Sequence, residues 1–283
     1  MKKYHWIITE YEPGTGLKQY LQQMMPLFPP HEIRDILKKR DVKINGQRIG
    51  KETMLRPGDQ IQVFTAFSPT LPVVYEDEHI LLINKPAGIS CMDDGRGGMT
   101  VLSLMEEYAQ GAYRPRLCHR LDHITSGLLL LAKDDDSENC LLDAFRERKL
   151  EKIYHCLVRG EMRPKAALKE AYLLKDSEAA KVRIITHATP GALPIATEYE
   201  TLSFDGTLSR LRVTLHTGRT HQIRAHMAFL SHPILGDDKY GDRALNKRLH
   251  AGGLKLCAAE LTLHAGGCLC YLDGKTFSIT SPF

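Results

Sequence analysis

Asp122 stands in the stretch HRLDHITSGLLLLAK, residues 119–133, between Arg120 and the small-polar turn Thr125-Ser126-Gly127. The leucines that follow, Leu128–Leu131, are bounded by Gly127 and Lys133 and predict a short buried strand. Asp122 is therefore expected at the mouth of a core element, where a rigid strand end can hold a carboxylate as acid, base or nucleophile. A simpler use of the same residue is an Asx-turn, in which the side chain bonds its own backbone two residues on. Taken alone, that is the commoner use of a turn aspartate. Two other clusters can join Asp122: Tyr154, in KIYHCLVRG, and Arg219-Thr220-His221, in LHTGRTHQIRAHM. An acid, an aromatic ring and arginines suit a flat polar ligand on an anionic backbone. The carboxylate does the chemistry, the ring stacks on a base, and the arginines take phosphate or hold the acid ionised. Singly, Tyr154 reads as a half-buried strand residue and Arg219 as the partner of a surface acid.

The histidines do not read as a metal centre. His216, His221 and His226 recur every five residues, which does not place them on one helical face, and no H-E-x-x-H or cysteine cluster accompanies them. They read as hydrogen-bonded imidazoles, and His119 and His123 as support for the acid they flank. No metal is expected.

The elements that must position these residues follow from pattern. Lys2–Tyr11 alternates weakly as an edge strand, broken at Pro13-Gly14. Leu17, Tyr20, Leu21, Met24 and Met25 recur at helical spacing. His31-Glu32 opens a second helix with Ile33, Ile36 and Leu37 inward, and Lys38, Lys39 and Arg40 crowd its last turn, where cations suit the helix dipole. Asn45-Gly46 between Val42-Lys43-Ile44 and Gln47-Arg48-Ile49 is a strong hairpin signal. Thr65–Pro72 reads as a linker. Beyond it come strands at 73–75 and 80–83, a loop at Asn84-Lys85-Pro86-Ala87-Gly88, another at Gly95–Gly98, and a helix at 100–109. After the Asp122 stretch follow a helix at 137–149, a strand at 152–158, a small-stranded excursion at 165–195, and a hairpin at 197–215. A helix at 222–230, a loop at 236–241 and strands at 254–263 and 276–279 complete the chain.

Composition sets the class. The chain has 283 residues, 43% hydrophobic and 25% charged, as in a globular protein, and neither a signal-peptide core nor a run long enough to span a membrane is evident. Seven scattered cysteines without a C-x-x-C pair read as reduced thiols, and a cytoplasmic location is expected by default. The net charge of +4 is uneven: residues 1–67 hold 11 Lys and Arg against 7 Asp and Glu, and the remainder balances. An anionic partner for that first quarter is indicated, nucleic acid before membrane.

Two resemblances sharpen this. Two short helices, the V-x-I-N-G hairpin and the closing P-G-D-x-I-x-V resemble the S4 RNA-binding domain over roughly residues 14–66. That resemblance implies that Arg34, Lys38, Lys39, Lys43 and Arg48 line a groove for phosphates, which positions RNA and reads little sequence. HRLDHITSGLLLLAK, VVYEDEHILLINKPAG, KIYHCLVRG and LHTGRTHQIRAHMAFLSHPILGDDKYG resemble the RluA family of RNA pseudouridine synthases, over most of residues 72–283. The resemblance implies an α+β chain: an S4-like domain at 1–67, a linker at 68–72, and at 73–283 a catalytic domain on a bent, mainly antiparallel mixed sheet with flanking helices. It also implies roles. Asp122 is the catalytic aspartate that isomerises uridine, Arg120 enters the helix where the base leaves, Tyr154 packs on the flipped uracil, and Arg219 pairs with the acid. Thr220 and His221 fall among the substrate-binding positions. Asn84 and Lys85, counted with them, match a loop near the site with no clear chemical role. The implied isomerisation has no redox, hydrolytic or phosphoryl-transfer step, so no cofactor is expected; the expected partner is RNA, ribosomal before transfer RNA, with no membrane partner and a monomeric chain. The alternative is an RNA-binding or ribosome assembly factor without catalysis.

Overall fold

The computed structural model describes residues 1–8, 15–93, 98–176 and 181–283. The Pro13-Gly14 break, the end of the first strand at Tyr11 and Gly95 through Gly97 of the expected loop lie outside these. Contacts divide the chain into two compact units, Met1–Leu71 with Gly88–Gly111, and Pro72–Ala87 with Ala112–Phe283. The first crossing falls inside the expected linker. The segment 88–111, assigned from sequence to the large domain, instead packs with the small one. The Met99 N–H donates to the Met24 carbonyl at 3.3 Å, and Glu107 accepts from Ser68 and pairs with Lys2.

The first unit contains β1 (Lys2–Ile7), α1 (Leu17–Met24), α2 (Pro30–Lys38), β2 (Val42–Ile44), β3 (Gln47–Ile49), β4 (Gln60–Thr65) and α3 (Val101–Ala109). Its four strands form one sheet in the order β1-β4-β2-β3. Asn45 and Gly46 both take positive φ, +50° and +82°, the backbone that a two-residue hairpin requires. Val42, Ile44, Ile61 and Val63 alternate into a core with Leu17, Leu21, Ile33 and Ile36, and the residues between them face the other way.

The second unit carries β5 (Val73–Glu76), β6 (Ile80–Lys85), β7 (Arg116–Leu117), β8 (Ser126–Ala132), α4 (Asp135–Arg146), β9 (Leu150–Arg159), β10 (Ala166–Asp176) and β11 (Lys181–Ile185). It continues through β12 (Leu193–Phe204), β13 (Leu208–Leu215), α5 (Gln222–Phe229), α6 (Arg243–Arg248), β14 (Leu256–Leu263), a 3-10 turn (Gly267–Leu272) and β15 (Lys275–Ser278). An eleven-stranded sheet runs β11-β10-β12-β13-β9-β14-β8-β6-β5, with β7 on β8 and β15 on β14. Its pairs are antiparallel except β8 with β14. The 165–195 stretch is no small excursion: β10 pairs with β12 along its length and extends the main sheet. The alternation Ala171, Leu173 and Val182, Ile184 packs there with Ile195 and with Ala225 of α5. The larger core lies between β6, β8, β14 and α4, from Ile80, Leu82, Leu128, Leu130, Leu141, Leu261 and Leu263.

One register row crosses this sheet. Lys85 faces Gly127, Gly127 faces Ala258, Ala258 faces Tyr154, and Tyr154 faces Val213. Residues far apart in sequence thereby meet on one line of strands, and the Asp122 loop enters beside it.

Candidate active site

Asp122 sits in the loop between β7 and β8. The turn closes through its backbone, the Thr125 N–H donating to the Asp122 carbonyl at 3.0 Å. Among the described residues, its carboxylate takes no hydrogen bond from that turn, so the simple Asx-turn is not what this aspartate does. The loop's exit depends on Gly127, whose φ is +116° and whose Cβ, if it had one, would lie 2.3 Å from the Ala258 carbonyl oxygen. Only a glycine lets β8 approach β14 this closely.

The carboxylate faces α5. The Arg224 Nη1 lies 3.6 Å from Asp122 Oδ2, and His221 Nε2 lies 3.8 Å from the same oxygen. His221, at φ +55°, is the residue before α5, so its ring and the Arg224 side chain one turn on share a face. This corrects the sequence expectation for Arg219. Arg219 is exposed in the loop before α5, and its backbone N–H donates to Gln222 Oε1 at 3.1 Å. Among the described residues its side chain makes no ion pair. The guanidinium beside the acid belongs to Arg224, 2% exposed.

Arg224 is gripped from behind. Its Nε and Nη2 donate to Asp237 Oδ2 and Oδ1 at 2.7 and 2.8 Å, and Nη2 also reaches Asp238 Oδ1 at 2.9 Å. Asp237 is itself buried, and its Oδ1 accepts the backbone N–H groups of Lys239 and Tyr240. Burial pushes the Asp237 carboxyl up, but the Arg224 bonds and charge and those two amides outweigh it and hold it below the usual range. Burial likewise works against the Arg224 charge, and Asp237, Asp122 and Asp238 overcome it. Tyr240 joins the frame: its hydroxyl accepts from the Val182 N–H at 2.9 Å and meets His221 Nδ1 at 3.0 Å. Burial lowers the His221 pKa, Asp122 opposes that, and the Arg224 and Lys239 charges add to it.

Tyr154, 9% exposed on β9, is within the field of Asp122. Burial first, then the Asp122 charge and Cys257, push its phenol well above the ordinary range. It therefore presents a neutral ring and hydroxyl. Asp122 thus faces the start of α5, and its charge acts on the Tyr154 phenol.

The remaining expected positions divide. Arg120, Arg219 and Thr220 are exposed and able to meet phosphate, and Asn84 is half-buried. Lys85 is 0% exposed, its Nζ donating to the carbonyls of Pro86 at 3.0 Å and His123 at 3.2 Å. A side chain with no exposure cannot touch a substrate; Lys85 steadies the loop next to Asp122 instead. His119, expected to support the acid, instead ties the loop to β8, its Nε2 accepting the Leu130 N–H at 3.0 Å, and burial, with help from the Lys152 charge, lowers its pKa to about 3. Among the described residues, no three His, Cys, Asp or Glu side chains converge as a metal site. The proposed phosphate groove also divides. Arg34 and Lys38 lie on the outward face of α2, whereas Lys43 alternates with Val42 and Ile44 on the sheet face turned away from that core.

Sequence reasoning missed Arg224 and Asp237. The signal was present: Arg224 falls between the apolar positions Ile223 and Met227 of a predicted helix, where a charge needs a buried partner.

Known proteins align with this architecture. The family model for RNA pseudouridylate synthase matches residues 79–229. Ribosomal large subunit pseudouridine synthase C of Escherichia coli (strain K12) is 33% identical over 275 residues, covering 91% of this chain and 85% of that protein. The protein of the same name from Vibrio cholerae is 31% identical over 91% of this chain and 85% of its own length. Among solved structures, human RNA pseudouridylate synthase domain containing 1 superposes with a TM-score of 0.62 at 24% identity, over 78% of this chain and 86% of that one.

Proposed function

From the premise that this chain belongs to the RNA pseudouridylate synthase family, we propose that it isomerises uridines of large-subunit ribosomal RNA, with Asp122 as the reacting carboxylate. It is an enzyme of the isomerase class, an RNA pseudouridine synthase. The observation that carries the residue assignment is the buried Arg224 guanidinium set 3.6 Å from the Asp122 carboxylate.

The reaction breaks the bond from the ribose C1′ to uracil N1 and forms one from C1′ to C5. A proton leaves C5 and N1 gains one, so electrons and atoms balance without redox or hydrolysis. Asp122 acts at the sugar, as nucleophile or as base, while the base turns. Arg224, itself buried, supplies fixed positive charge beside it, and such a preorganised charge is worth more there than in bulk water. The Tyr154 ring gives the uracil a flat apolar wall. Arg120 and Arg219, both exposed, take backbone phosphate. A base stacked in RNA is out of reach, so it is flipped out at a cost of about a few kcal/mol.

Ribosomal RNA is favoured over transfer RNA by the name of the relatives that match 91% of the chain. The proposal extends to a monomer acting in the cytoplasm, where a ribosomal RNA substrate would be met. The test is tritium release from ribosomal RNA labelled at uridine C5. Release with no free uracil is expected. Free uracil would mean base hydrolysis, and neither product would leave an RNA-binding protein without catalysis.

A further inference from the structure

The small sheet has one face covered by its helices and one turned to solvent, and the two differ in chemistry. On the outer face the alternation brings out Lys3 and His5 from β1, Gln62 and Phe64 from β4, Lys43 from β2 and Arg48 from β3. These form two rows, His5–Gln62–Lys43–Arg48 and Lys3–Phe64. No outward position on the four strands is Asp or Glu. Asp41 and Asp59 lie just off the strands and are engaged: Asp41 Oδ1 is 3.6 Å from Arg48 Nη1, and Asp59 accepts from Asn45 and the Arg56 N–H. The outward face of α2 mixes signs, setting Glu32 and Asp35 among Arg34 and Lys38.

Phe64 is the centre of the outer face. Its ring is half-buried, with the Lys3 ammonium 5.9 Å and the Lys43 ammonium 5.5 Å from its centroid. An aromatic ring flanked by cations on an open sheet is suited to unpaired RNA: a base stacks on the ring and the ammonium groups take adjacent phosphates. The sheet spans roughly 14 Å from β1 to β3 at about 4.8 Å per strand. A paired duplex hides its bases and offers only phosphates and sugars to such a surface.

We propose that this face of the small sheet, centred on Phe64, docks a single-stranded segment of the RNA substrate. The β1 strand, which precedes the S4-like portion, completes it by supplying Lys3 and His5. The proposal deepens the reading of the chain as an RNA-modifying enzyme, yet it is tested apart from catalysis by using RNA without uridine.

Binding of the full chain to oligoadenylate is measured across a salt series for wild type, Phe64→Ala, Phe64→Trp, the pair Lys3→Gln and Lys43→Gln, and the helix-face pair Arg34→Gln and Lys38→Gln. Phe64→Ala is expected to weaken binding about tenfold and Phe64→Trp to retain it. The sheet-face lysine pair should reduce the magnitude of the logarithmic salt slope by about 1.4, two phosphate contacts on a single strand. The helix-face pair should stay within about twofold of wild type. Unchanged affinity in the sheet-face variants, or an equal loss in the helix-face pair, would overturn the proposal. So would a lysine effect without a Phe64 effect, which marks a plain charged patch, or a preference for duplex over the single strand. Tritium release from C5-labelled uridine RNA by wild type, run in parallel, tests the catalytic reading separately; if wild type itself releases none, it is that reading that has failed.

Discussion

One nitrogen of the Arg224 guanidinium faces Asp122, Nη1 to Oδ2 at 3.6 Å, while the edge formed by Nε and Nη2 is bonded to Asp237. The arginine is held by one carboxylate and offered to another. Lysine cannot reproduce that division, because a single ammonium has no second edge. Arg224→Lys should therefore lower kcat by about a hundredfold or more, the scale of a misplaced catalytic group. Arg219→Ala should act mainly through KM, with kcat within about tenfold of wild type. Steady-state kinetics of the two variants separates them, and the opposite ranking would restore Arg219 as the partner of the acid.

Asp237→Asn keeps the shape of the buried partner and removes its charge. The side chains of Arg224 and Asp237 are 2% and 0% exposed, so the substitution leaves a buried cation short of its counter-charge and should cost about 3–5 kcal/mol. The folded carboxyl titrates below its unfolded value of about 3.9, so its contribution is present above that pH and is lost as pH falls through the folded value. Thermal melts at neutral pH should show the deficit of Asp237→Asn, and the gap to wild type should narrow below about pH 4. A variant as stable as wild type at pH 7 would contradict this account of the frame.

Acid should destabilise the protein earlier through His226. Its ring is 1% exposed, with Nδ1 3.0 Å from Thr197 Oγ1, and burial, then the Lys169 charge, lowers its pKa to about 4. The unfolded imidazole titrates near 6.5, so the unfolded state binds the extra proton between these values and stability falls as pH drops from about 6.5 to about 4. The gap corresponds to about 3 kcal/mol. His226→Asn, which cannot take the proton, should show a flatter pH dependence of denaturant midpoint in that window. An unchanged slope would mean that His226 is not the group responsible.

Gly127→Ala puts a methyl group 2.3 Å from the Ala258 carbonyl at a φ of +116°. Both strain and overlap act, so β8 must shift against β14 and a loss of several kcal/mol is expected. Because the Asp122 loop ends at this strand, kcat should fall further than the lost stability accounts for. Activity measured well below the melting temperature checks this, and wild-type kcat in a destabilised variant would uncouple the strand contact from the site.

The sequence reads well where local chemistry decides. Asn45-Gly46 has one comfortable backbone, the leucines before Lys133 can only be core, and both appear as expected. It reads poorly where a side chain's partner is distant. Arg219 and Arg224 occupy the same motif, and only the start of α5 decides which one turns inward: the loop arginine stays in solvent, and the one a turn past His221 meets Asp122. Lys85 looks like a loop cation but ends a buried strand, and the carbonyls it bonds include that of His123, far along the chain. The 165–195 strands alternate only weakly and gain their place by pairing with β12. The helix α6 and the 3-10 turn, six residues each, are too short to carry a readable period.

The account rests on the Asp122 carboxylate, and the most direct measurement is tritium release from C5-labelled uridine RNA by Asp122→Asn beside wild type. The variant should fold, bind the RNA with wild-type affinity and release no tritium above background. Turnover near the wild-type rate would contradict the assignment of the chemistry to this residue.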